Sequence, residues 1–377
     1  MSSSARRAPA LAAVVVAILA ALAGSAVLAP AAAAVPQAKT KTVKVVIDDE
    51  GCPAKLSVKA GPITFEVENT GSGAVSEFEI LSGDRIIGEI ENVAPGLTRE
   101  FSLTLKPGSY TSYCPGGDRE KGKLVVTGTA DTKLTAAQKT AVETYRAYVV
   151  DQATQLVALT KTFTDAVGAG DLEGAKASYV AARMPYERIE PVAETFGDLD
   201  PEIDAREGDV PAKEWQGFHK IEQALWVDGT TAGLSEVTEK LNEHVQELAN
   251  LIPDVELQPA GIANGAVELL NEVSTSKITG EEERYSHTDL DDFQANVEGS
   301  QAAFAAVKPL IAAKHAKLVS DIDAKFAAVL AALAPYKQGP TFVSYTTLTQ
   351  DDTKALAQAV DALAEPLSKV SKQVVSQ

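Results

Sequence analysis

The chain has 377 residues, with 34 basic and 52 acidic side chains and a formal net charge of −18. This length allows two or three domains with a sizeable buried core. The acidic balance excludes a nucleic-acid partner of the usual kind, because the phosphate backbone is bound by clusters of Lys and Arg. Residues 129–377 alone contain 21 basic and 39 acidic residues, so this part favours cations or a basic partner, although acidic surfaces are also common in exported proteins.

The first residues have the pattern of an export signal. Arg6 and Arg7 precede a long Ala/Val/Leu run that contains no acid and ends in Ala32-Ala33-Ala34. We predict a signal peptide over residues 1–34, with an uncleaved membrane anchor as the alternative. Two arginines do not decide between the Sec and twin-arginine routes. The mature protein is expected to be soluble, in the periplasm or on the outer side of the cytoplasmic membrane.

Residues 40–128 are typical of a β-domain. Apolar and polar residues alternate from Ile63 to Glu68, which is the period of a half-buried strand. Turn residues such as Gly61-Pro62, Pro95-Gly96 and Pro107-Gly108 separate several short stretches of this kind. The pattern predicts an N-terminal antiparallel β-sandwich or barrel.

Both cysteines of the chain, Cys52 and Cys114, lie in this domain. A disulfide is natural for two cysteines in an exported protein. If both stay reduced, their thiolates and nearby carboxylates are instead candidate ligands for a divalent or ferric ion. The position of Cys114 before the final strand resembles a cupredoxin, but no histidine precedes His219. A blue-copper site needs two histidines beside its thiolate, so electron transfer by such a site is not expected.

From Thr135 onward the periodicity is helical. Thr135 and Gln138 fit a capping box, Asp171 is placed to cap the next helix, and a helical stretch over 171–196 is bent by Pro185 and Pro191. Further amphipathic stretches continue to the end of the chain. Residues 135–375 therefore predict an all-α bundle of about seven or more helices.

The segment from Trp215 to Trp226 contains His219 and Glu222. Residues three apart share a helix face, and an imidazole beside a carboxylate is half of a metal site for first-row ions. The alternative is a polar pair at the border of a buried face.

Other polar residues also have two interpretations. Glu187 and Glu190 share a face, which indicates either ligands or a solvated surface paired with Arg183 or Arg188. Asp204 indicates either a ligand or a helix cap. Ser286 and Asp289 predict a capping box at a helix start. His244 and His315 are expected at the surface.

Longer motifs carry a resemblance to a known family. The stretch from Gly280 to Ser300, together with Arg188-Ile-Glu190-Pro191 and Ile203-Asp204-Ala-Arg206, resembles the EfeO family, the exported component of EfeUOB-type bacterial iron-uptake systems. That family joins a cupredoxin-like domain to an imelysin-like (peptidase M75) helical domain. The resemblance covers essentially the whole mature chain. Residues 217–222 match the Gly-x-His-x-x-Glu hallmark of imelysin-like domains.

The resemblance implies two metal-binding regions. In the β-domain, family members can carry an Asp at the position of Thr111, and its absence puts that region in doubt. The implied ligands are His219, Glu222, Glu187, Glu190 and Asp204 in the helical domain, and Cys52, Glu77 and Cys114 in the β-domain.

The resemblance also implies a function. The expected activity is capture of ferrous or ferric iron (Fe2+ or Fe3+) and its delivery to an EfeU-like permease, with an EfeB-like haem peroxidase as a second partner. Zn2+ and Cu2+ are alternative ions. Two other functions remain open: a zinc peptidase of the M75 type, and a module that binds acidic polysaccharide with a structural metal. The chain has no His-Glu-x-x-His motif, so catalysis is not expected.

Overall fold

A computed structural model describes residues 40–376, except residues 131 and 276. The predicted signal peptide over residues 1–34 lies outside the described residues. Across the described part of the chain, no helix combines the length and the apolar character needed to cross a bilayer.

Eight strands form the N-terminal domain as two sheets. One sheet has the order β1-β3-β6 and the other has the order β2-β8-β7-β4-β5, so that β5 lies at an edge. The pairs β1–β3 and β2–β8 are parallel, and the remaining neighbours are antiparallel. The strands are β1 (Lys41–Ile47), β2 (Lys55–Lys59), β3 (Gly61–Asn69), β4 (Phe78–Ser82), β5 (Arg85–Ile90), β6 (Thr98–Leu105), β7 (Gly108–Tyr113) and β8 (Lys121–Thr127).

The two sheets enclose an apolar core. Because side chains alternate along a strand, Ile63, Phe65 and Val67 of β3 all point inward and are fully buried. Phe65 stacks on Phe101 of β6 with ring centroids 5.2 Å apart, and Phe78 of β4 packs against both rings. The predicted β-sandwich is confirmed, but the purely antiparallel pairing expected for it is wrong, because β1–β3 and β2–β8 are parallel pairs.

Helices account for most of the remaining chain, and the predicted helical domain is confirmed. The helices are α1 (Ala136–Gly168), α2 (Leu172–Glu187), α3 (Glu190–Ala193), α4 (Leu199–Asp204), α5 (Phe218–Gln223), α6 (Ser235–Leu251), α7 (Pro259–Thr275), α8 (Asp289–Ile311), α9 (Ala316–Leu333), α10 (Gln350–Leu367) and α11 (Val370–Val375). Short 3-10 helices cover Glu194–Phe196, Ile252–Asp254, Lys277–Thr279, Ala334–Tyr336 and Tyr345–Thr347. One π-helical turn covers Ala224–Asp228. The strands β9 (Lys337–Gln338) and β10 (Thr341–Phe342) form a two-stranded ribbon.

Local signals at helix starts agree with the structure in two places and disagree in a third. Thr135 and Gln138 form the predicted capping box, and the Asp171 side chain accepts a hydrogen bond from the Gly174 N–H. At α8, however, Thr288 is the N-cap and makes no side-chain capping bond. The capping box predicted for Ser286 and Asp289 is therefore wrong.

Proline positions explain where the second helical stretch ends. Pro185 is accommodated inside α2, whereas Pro191 lies in the first turn of the separate helix α3, a position that needs no N–H donor. Within the acidic segment 198–209, residues Leu199–Asp204 form the short helix α4.

The sandwich is joined to the bundle through β6 and α7. Asn264 donates a hydrogen bond to the Ser102 carbonyl oxygen at 3.1 Å, and the Thr104 N–H donates to Gln258 Oε1 at 3.1 Å. Arg99 Nη1 donates to Asn271 Oδ1 at 3.0 Å. These bonds fix α7 against the sandwich, and they place the acidic strands β4 and β5 close to the same helix.

Candidate metal centre

A glycine sets the position of the His219 helix. Gly217 precedes α5 with φ of 85°, a conformation that glycine adopts without strain. A Cβ at this position would lie 2.2 Å from the Ile203 carbonyl oxygen. The absence of a side chain therefore lets α5 begin directly against α4, next to Asp204.

His219 lies in the interior of the bundle, with 1 % of its surface exposed. Its Nδ1 is 3.0 Å from Glu222 Oε2, one helical turn later. Its Nε2 is 3.5 Å from Glu282 Oε1 and 3.6 Å from Asp204 Oδ1, yet it makes no hydrogen bond with any described residue. The imidazole therefore presents one nitrogen to two carboxylates without engaging either of them.

Backbone N–H groups hold the Glu222 carboxylate in place. Its Oε1 accepts hydrogen bonds from the Ser286 N–H at 2.7 Å and the Tyr285 N–H at 3.0 Å. Burial alone would raise the pKa of Glu222, but the bonds from His219 and these two N–H groups lower it. Glu222 is therefore an ionised, oriented partner that fixes the imidazole.

The spacing of residues in the sequence did not identify two further ligand candidates, Glu282 and Glu283. Oxygen atoms of Asp204 and Glu282 lie within 4.8 Å of a nitrogen of His219, and the same holds for Glu222 and Glu283. Both glutamates belong to the stretch from Gly280 to Ser300 that carries the family resemblance. That stretch was the available signal, although nothing in its spacing distinguished these two acids from their neighbours.

Arg183 is a buried cation beside the histidine. Its guanidinium bonds with Glu187 and Asp204, and its Nε is 2.5 Å from Glu283 Oε1. It lies over the ring of Phe218, 5.5 Å from the ring centre. The pairing of Glu187 with Arg183 agrees with one alternative drawn from the sequence, but the pair is buried rather than solvated.

A second buried cation, Lys277, organises the remaining acids. Its Nζ lies 3.3 Å from Glu187 Oε2, 3.6 Å from Glu190 Oε2 and 3.6 Å from Glu282 Oε2. Asn296 Nδ2 also donates to Glu187 Oε2 at 3.2 Å and to Glu190 Oε2 at 3.3 Å. Of the predicted ligands, Glu187 and Glu190 thus lie around Lys277. Glu222 and Asp204 lie around the imidazole of His219.

Buried acidic groups outnumber buried basic groups across this region. Burial raises the pKa of Glu190, of Glu283 and of Asp292 well above the usual range, and neighbouring carboxylates raise each further. The seven carboxylates Glu187, Glu190, Asp204, Glu222, Glu282, Glu283 and Asp292 are at most 9 % exposed, whereas the buried basic groups beside them are Arg183, His219 and Lys277. A multivalent cation would offset this imbalance.

The same imbalance affects the histidine. Burial and Arg183 act to lower the pKa of His219, but Asp204, the hydrogen bond with Glu222 and the nearby Glu282 carboxylate raise it to about 9. Without a metal ion the ring is therefore protonated at neutral pH, and a metal would replace a proton there. Carboxylate oxygen and imidazole nitrogen together suit iron, zinc and manganese ions.

The predicted β-domain ligands are arranged differently. Cys52 and Cys114 form a disulfide, one of the two alternatives for this pair, and the described residues include no free cysteine. A disulfide has no thiolate, so Cys52, Glu77 and Cys114 offer no sulfur ligand in this form. Glu77 instead lies with Glu89 and Glu91, and their oxygen atoms approach within 4.8 Å of one another.

Comparison with known families agrees with both domains. Residues 141–370 match the Imelysin family (peptidase M75), and residues 12–126 match the cupredoxin-like domain family. The fold and the buried His-carboxylate cluster thus define a two-domain protein with a cupredoxin-like sandwich and an imelysin-type bundle.

Similar full-length proteins narrow this class. The iron uptake system component EfeO of Escherichia coli (strain K12) is 43% identical over 362 residues, which cover 93% of this chain and 95% of the relative. EfeO proteins of Shigella flexneri and Shigella sonnei (strain Ss046) have the same identity and coverage. The chain belongs to the EfeO family of iron uptake system components. The solved structure of reduced rusticyanin at 1.9 Å is 23% identical in sequence. The match covers 24% of this chain and 81% of the rusticyanin chain, with a TM-score of 0.20.

Proposed function

We propose that this protein captures iron outside the cytoplasmic membrane and transfers it to a membrane permease of the EfeU type. The cluster around His219 is the proposed binding site, with His219, Asp204 and Glu282 as the primary ligands. Glu222 positions the imidazole, and Glu283 lies on its other side. Glu187 and Glu190 lie beside Lys277 and add negative charge to the region around these ligands. An EfeB-like haem peroxidase is the proposed second partner, and the periplasm or outer cell surface is the proposed location.

The observation that supports this function best is the unpartnered nitrogen of His219. A buried polar atom without a hydrogen bond costs about 1–3 kcal/mol, so such atoms are rare in folded proteins. Here the atom lies 3.5 Å and 3.6 Å from two carboxylate oxygen atoms. An ion bound between the three groups would satisfy all of them at once.

The charge of the cluster suits iron in both common oxidation states. Ferrous and ferric ions accept carboxylate and imidazole ligands. Arg183 and Lys277 already neutralise part of the negative charge, which limits how tightly the cluster holds a cation. A transport protein must also release its ion. Because Arg183 and Lys277 limit the affinity of the cluster for a cation, they favour release of the bound ion.

A cavity borders the cluster, and it is the proposed entry route from solvent. It has a volume of about 500 Å3 and is lined by Arg206, Glu272, Glu281 and Arg284, among others. Arg206 Nη1 also bonds with Glu282 Oε2 at 2.8 Å, so this side chain separates the cavity from the histidine. Rotation of Arg206 toward solvent would open the path, and its partner Asp209 lies on the exposed side.

Burial of the cluster favours ion binding over peptide cleavage. A catalytic zinc site presents an open coordination position to its substrate. His219 and Glu222 are 1 % and 0 % exposed, so a peptide bond has no access to them without a large rearrangement. Polysaccharide binding draws no support from the arrangement, because both partners would be anionic.

The proposal is tested by titrating iron into the metal-free protein. Wild type and His219→Ala are compared by calorimetry with Fe(II) under anaerobic conditions and with Fe(III) citrate. We expect the variant to bind iron at the bundle site at least a hundredfold more weakly. Binding of Zn(II) and Cu(II), measured alongside, ranks the alternative ions.

The matched control is His315→Ala, because His315 precedes α9 and makes no side-chain capping bond. This variant should bind iron as the wild type does. Equal iron affinity in His219→Ala and wild type would overturn the proposed site. Circular dichroism of each variant shows whether the bundle remains folded.

A further inference from the structure

One loop joins two of the proposed iron ligands. Residues 205–215 follow α4 directly after Asp204 and lead to α5, which carries His219. The Trp215 Nε1–H group donates a hydrogen bond to the Ala205 carbonyl oxygen at 2.7 Å, and both residues are buried. The 205–215 loop is therefore an Ω-loop, whose ends are held close together while the residues between them lie at the surface.

Between its two ends the loop is separate from the apolar interior. Residues 207–209 and 211–214 are exposed. No side chain from residues 206–214, all of which the structure describes, belongs to the apolar core of the bundle. Within the loop, the Arg206 N–H and Nε groups both donate to Asp209 Oδ2, at 3.0 Å and 3.1 Å. The loop is thus a small unit whose outward movement would uncover no part of the described core.

The inner contact of the loop covers the cluster around His219. Arg206 Nη1 is 2.8 Å from Glu282 Oε2, and the other oxygen of this carboxylate is 3.5 Å from His219 Nε2. The Arg206 side chain is 28% exposed, whereas the Glu282 side chain is 3% exposed, so the guanidinium lies on the solvent side of the carboxylate. An ion that enters from the cavity bordered by Arg206 therefore meets this ion pair before it reaches the imidazole.

A second set of contacts connects the outer side of the loop to the bundle through Glu207. Glu207 Oε2 accepts hydrogen bonds from the Tyr285 hydroxyl at 2.9 Å and from Gln223 Nε2 at 3.1 Å. The Glu207 carbonyl oxygen accepts a hydrogen bond from Arg284 Nη1 at 2.7 Å. All three bonds are exposed, and exposed polar contacts are individually weak. Segments held mainly by such bonds open at a lower free energy than a packed core does.

We propose that the 205–215 loop is a gate on the iron site, in which Arg206 closes the site and Glu207 is the latch that holds the loop shut. This role rests on the proposed function, because it requires that the ion binds at His219. When the latch opens, the loop moves outward about its fixed ends, and Arg206 follows it away from Glu282. The gate therefore sets the rates of iron capture and release without supplying a ligand.

Such a gate has a kinetic signature that a ligand does not share. The side-chain bonds of Glu207 involve none of the proposed ligands, so their loss favours the open loop equally with and without a bound ion. The rate constants for capture and release then rise by the same factor. Iron affinity depends on the ratio of these rate constants and stays unchanged. Loss of a ligand would instead weaken the affinity.

The experiment measures both rate constants with Fe2+ in the full-length mature protein under anaerobic conditions. Stopped flow follows loading by tryptophan fluorescence and release by transfer of Fe2+ to the chelator ferrozine. We expect both rate constants to rise about fivefold in Glu207→Ala and about twofold in Tyr285→Phe. Tyr285→Phe keeps the N–H group that holds Glu222. Iron affinity should stay within about twofold of wild type in both variants, because no ligand changes.

A metal-free measurement reports on the loop itself. Amide hydrogen exchange of residues 206–214 should be about fivefold faster in Glu207→Ala than in wild type, with the core helices unchanged. The matched control is Glu214→Ala, which removes the same charge from the same loop. The Glu214 carboxylate pairs with Lys213 inside the loop, so this variant should exchange hydrogen and iron as the wild type does.

The outcomes separate the gate from the proposed function. Unchanged rates of capture and release in Glu207→Ala, or an equal rise in Glu214→Ala, would overturn the gate. Weaker iron binding in Glu207→Ala without faster capture would overturn it as well. If iron binding depends on His219 while the Glu207→Ala rates match wild type, the gate alone fails. If His219→Ala binds iron as the wild type does, the proposed function fails and the gate fails with it.

Discussion

Gly217 is the residue on which the position of His219 depends most directly. Its φ of 85° and ψ of −162° belong to a region that side chains other than glycine rarely enter. The contact with the Ile203 carbonyl oxygen leaves no volume for a methyl group. The glycine of the Gly-x-His-x-x-Glu motif therefore has a structural explanation in this chain, which is the close approach of α5 to α4.

Gly217→Ala should reduce both stability and iron binding. The strained backbone costs about 1–3 kcal/mol of unfolding free energy, and the clash with Ile203 moves His219 away from Asp204. Denaturant unfolding and iron titration measure the two effects. Gly261→Ala in α7 is the control, since a Cβ there meets no atom within 4 Å and an alanine favours the helix. Wild-type stability and iron affinity in Gly217→Ala would contradict this account.

Residue types led to the metal-site hypothesis, but they identified only part of the cluster around His219. His219 and Glu222 could be paired from sequence because helical spacing is local. Glu282 and Glu283 come from a distant loop, and only the packing of that loop against α5 brings them to the imidazole. From the sequence, Arg183 was expected to pair with Glu187 at the surface. Sequence does not show that both side chains are buried.

At the scale of single elements, helix starts were the most predictable features. The Thr135–Gln138 box lies entirely within four residues, so no distant contact competes with it. At α8 the prediction failed because the Asp289 side chain accepts a hydrogen bond from the Glu283 N–H instead. That bond holds the loop that carries Glu282 and Glu283. The Asp289 side chain therefore bonds with this loop and does not form a capping box.

The start of α10 gives a stability prediction. Thr349 and Asp352 form a capping box in which the Asp352 carboxylate accepts bonds from the Thr349 hydroxyl at 2.6 Å and N–H at 2.8 Å. Thr349→Ala should lower the unfolding free energy by about 1 kcal/mol. Chemical denaturation at neutral pH measures this change, and a difference below the experimental error would contradict it.

Asp352 adds a pH dependence with a defined sign. Bonds from Thr349 and Tyr336 lower the pKa of Asp352 below its unfolded value, so the folded state favours the ionised carboxylate. Its contribution is fully present above the unfolded pKa, which is about 3.9, and is lost as the pH falls through the lower folded value. The stability difference between wild type and Asp352→Asn should therefore be constant from neutral pH to about pH 5 and shrink at lower pH. A stability difference that stays constant at acidic pH would contradict this account.

At the scale of the whole molecule, the division into a sandwich and a bundle was predictable because period-two and helical patterns change at one point in the chain. The junction between them was not. Glu77, Glu79, Glu89 and Glu91 alternate with apolar residues, as any half-buried strand does. Their position beside the bundle depends on the docking of α7, which connects residues almost 200 positions apart.

The disulfide leads to a prediction for the sandwich as a unit. Cys52 and Cys114 are separated by 62 residues, and closing a loop of that length stabilises a fold by about 4 kcal/mol in the chain-entropy description. Cys52→Ser/Cys114→Ser should lose unfolding free energy of about that size, while iron binding at His219 stays unchanged. Thiol titration of denatured wild-type protein should find no free thiol. Two free thiols in protein from an oxidising compartment would restore the thiolate ligands as candidates.

The docking of the bundle against the edge strand β5 has a further consequence, for solubility. An edge strand offers unpaired N–H and C=O groups, which invite pairing with a strand of another molecule. Beyond Arg85, however, β5 is half-buried or buried, and the Glu194–Phe196 turn and α7 lie against it. The bundle therefore covers an edge through which copies of the chain could otherwise aggregate.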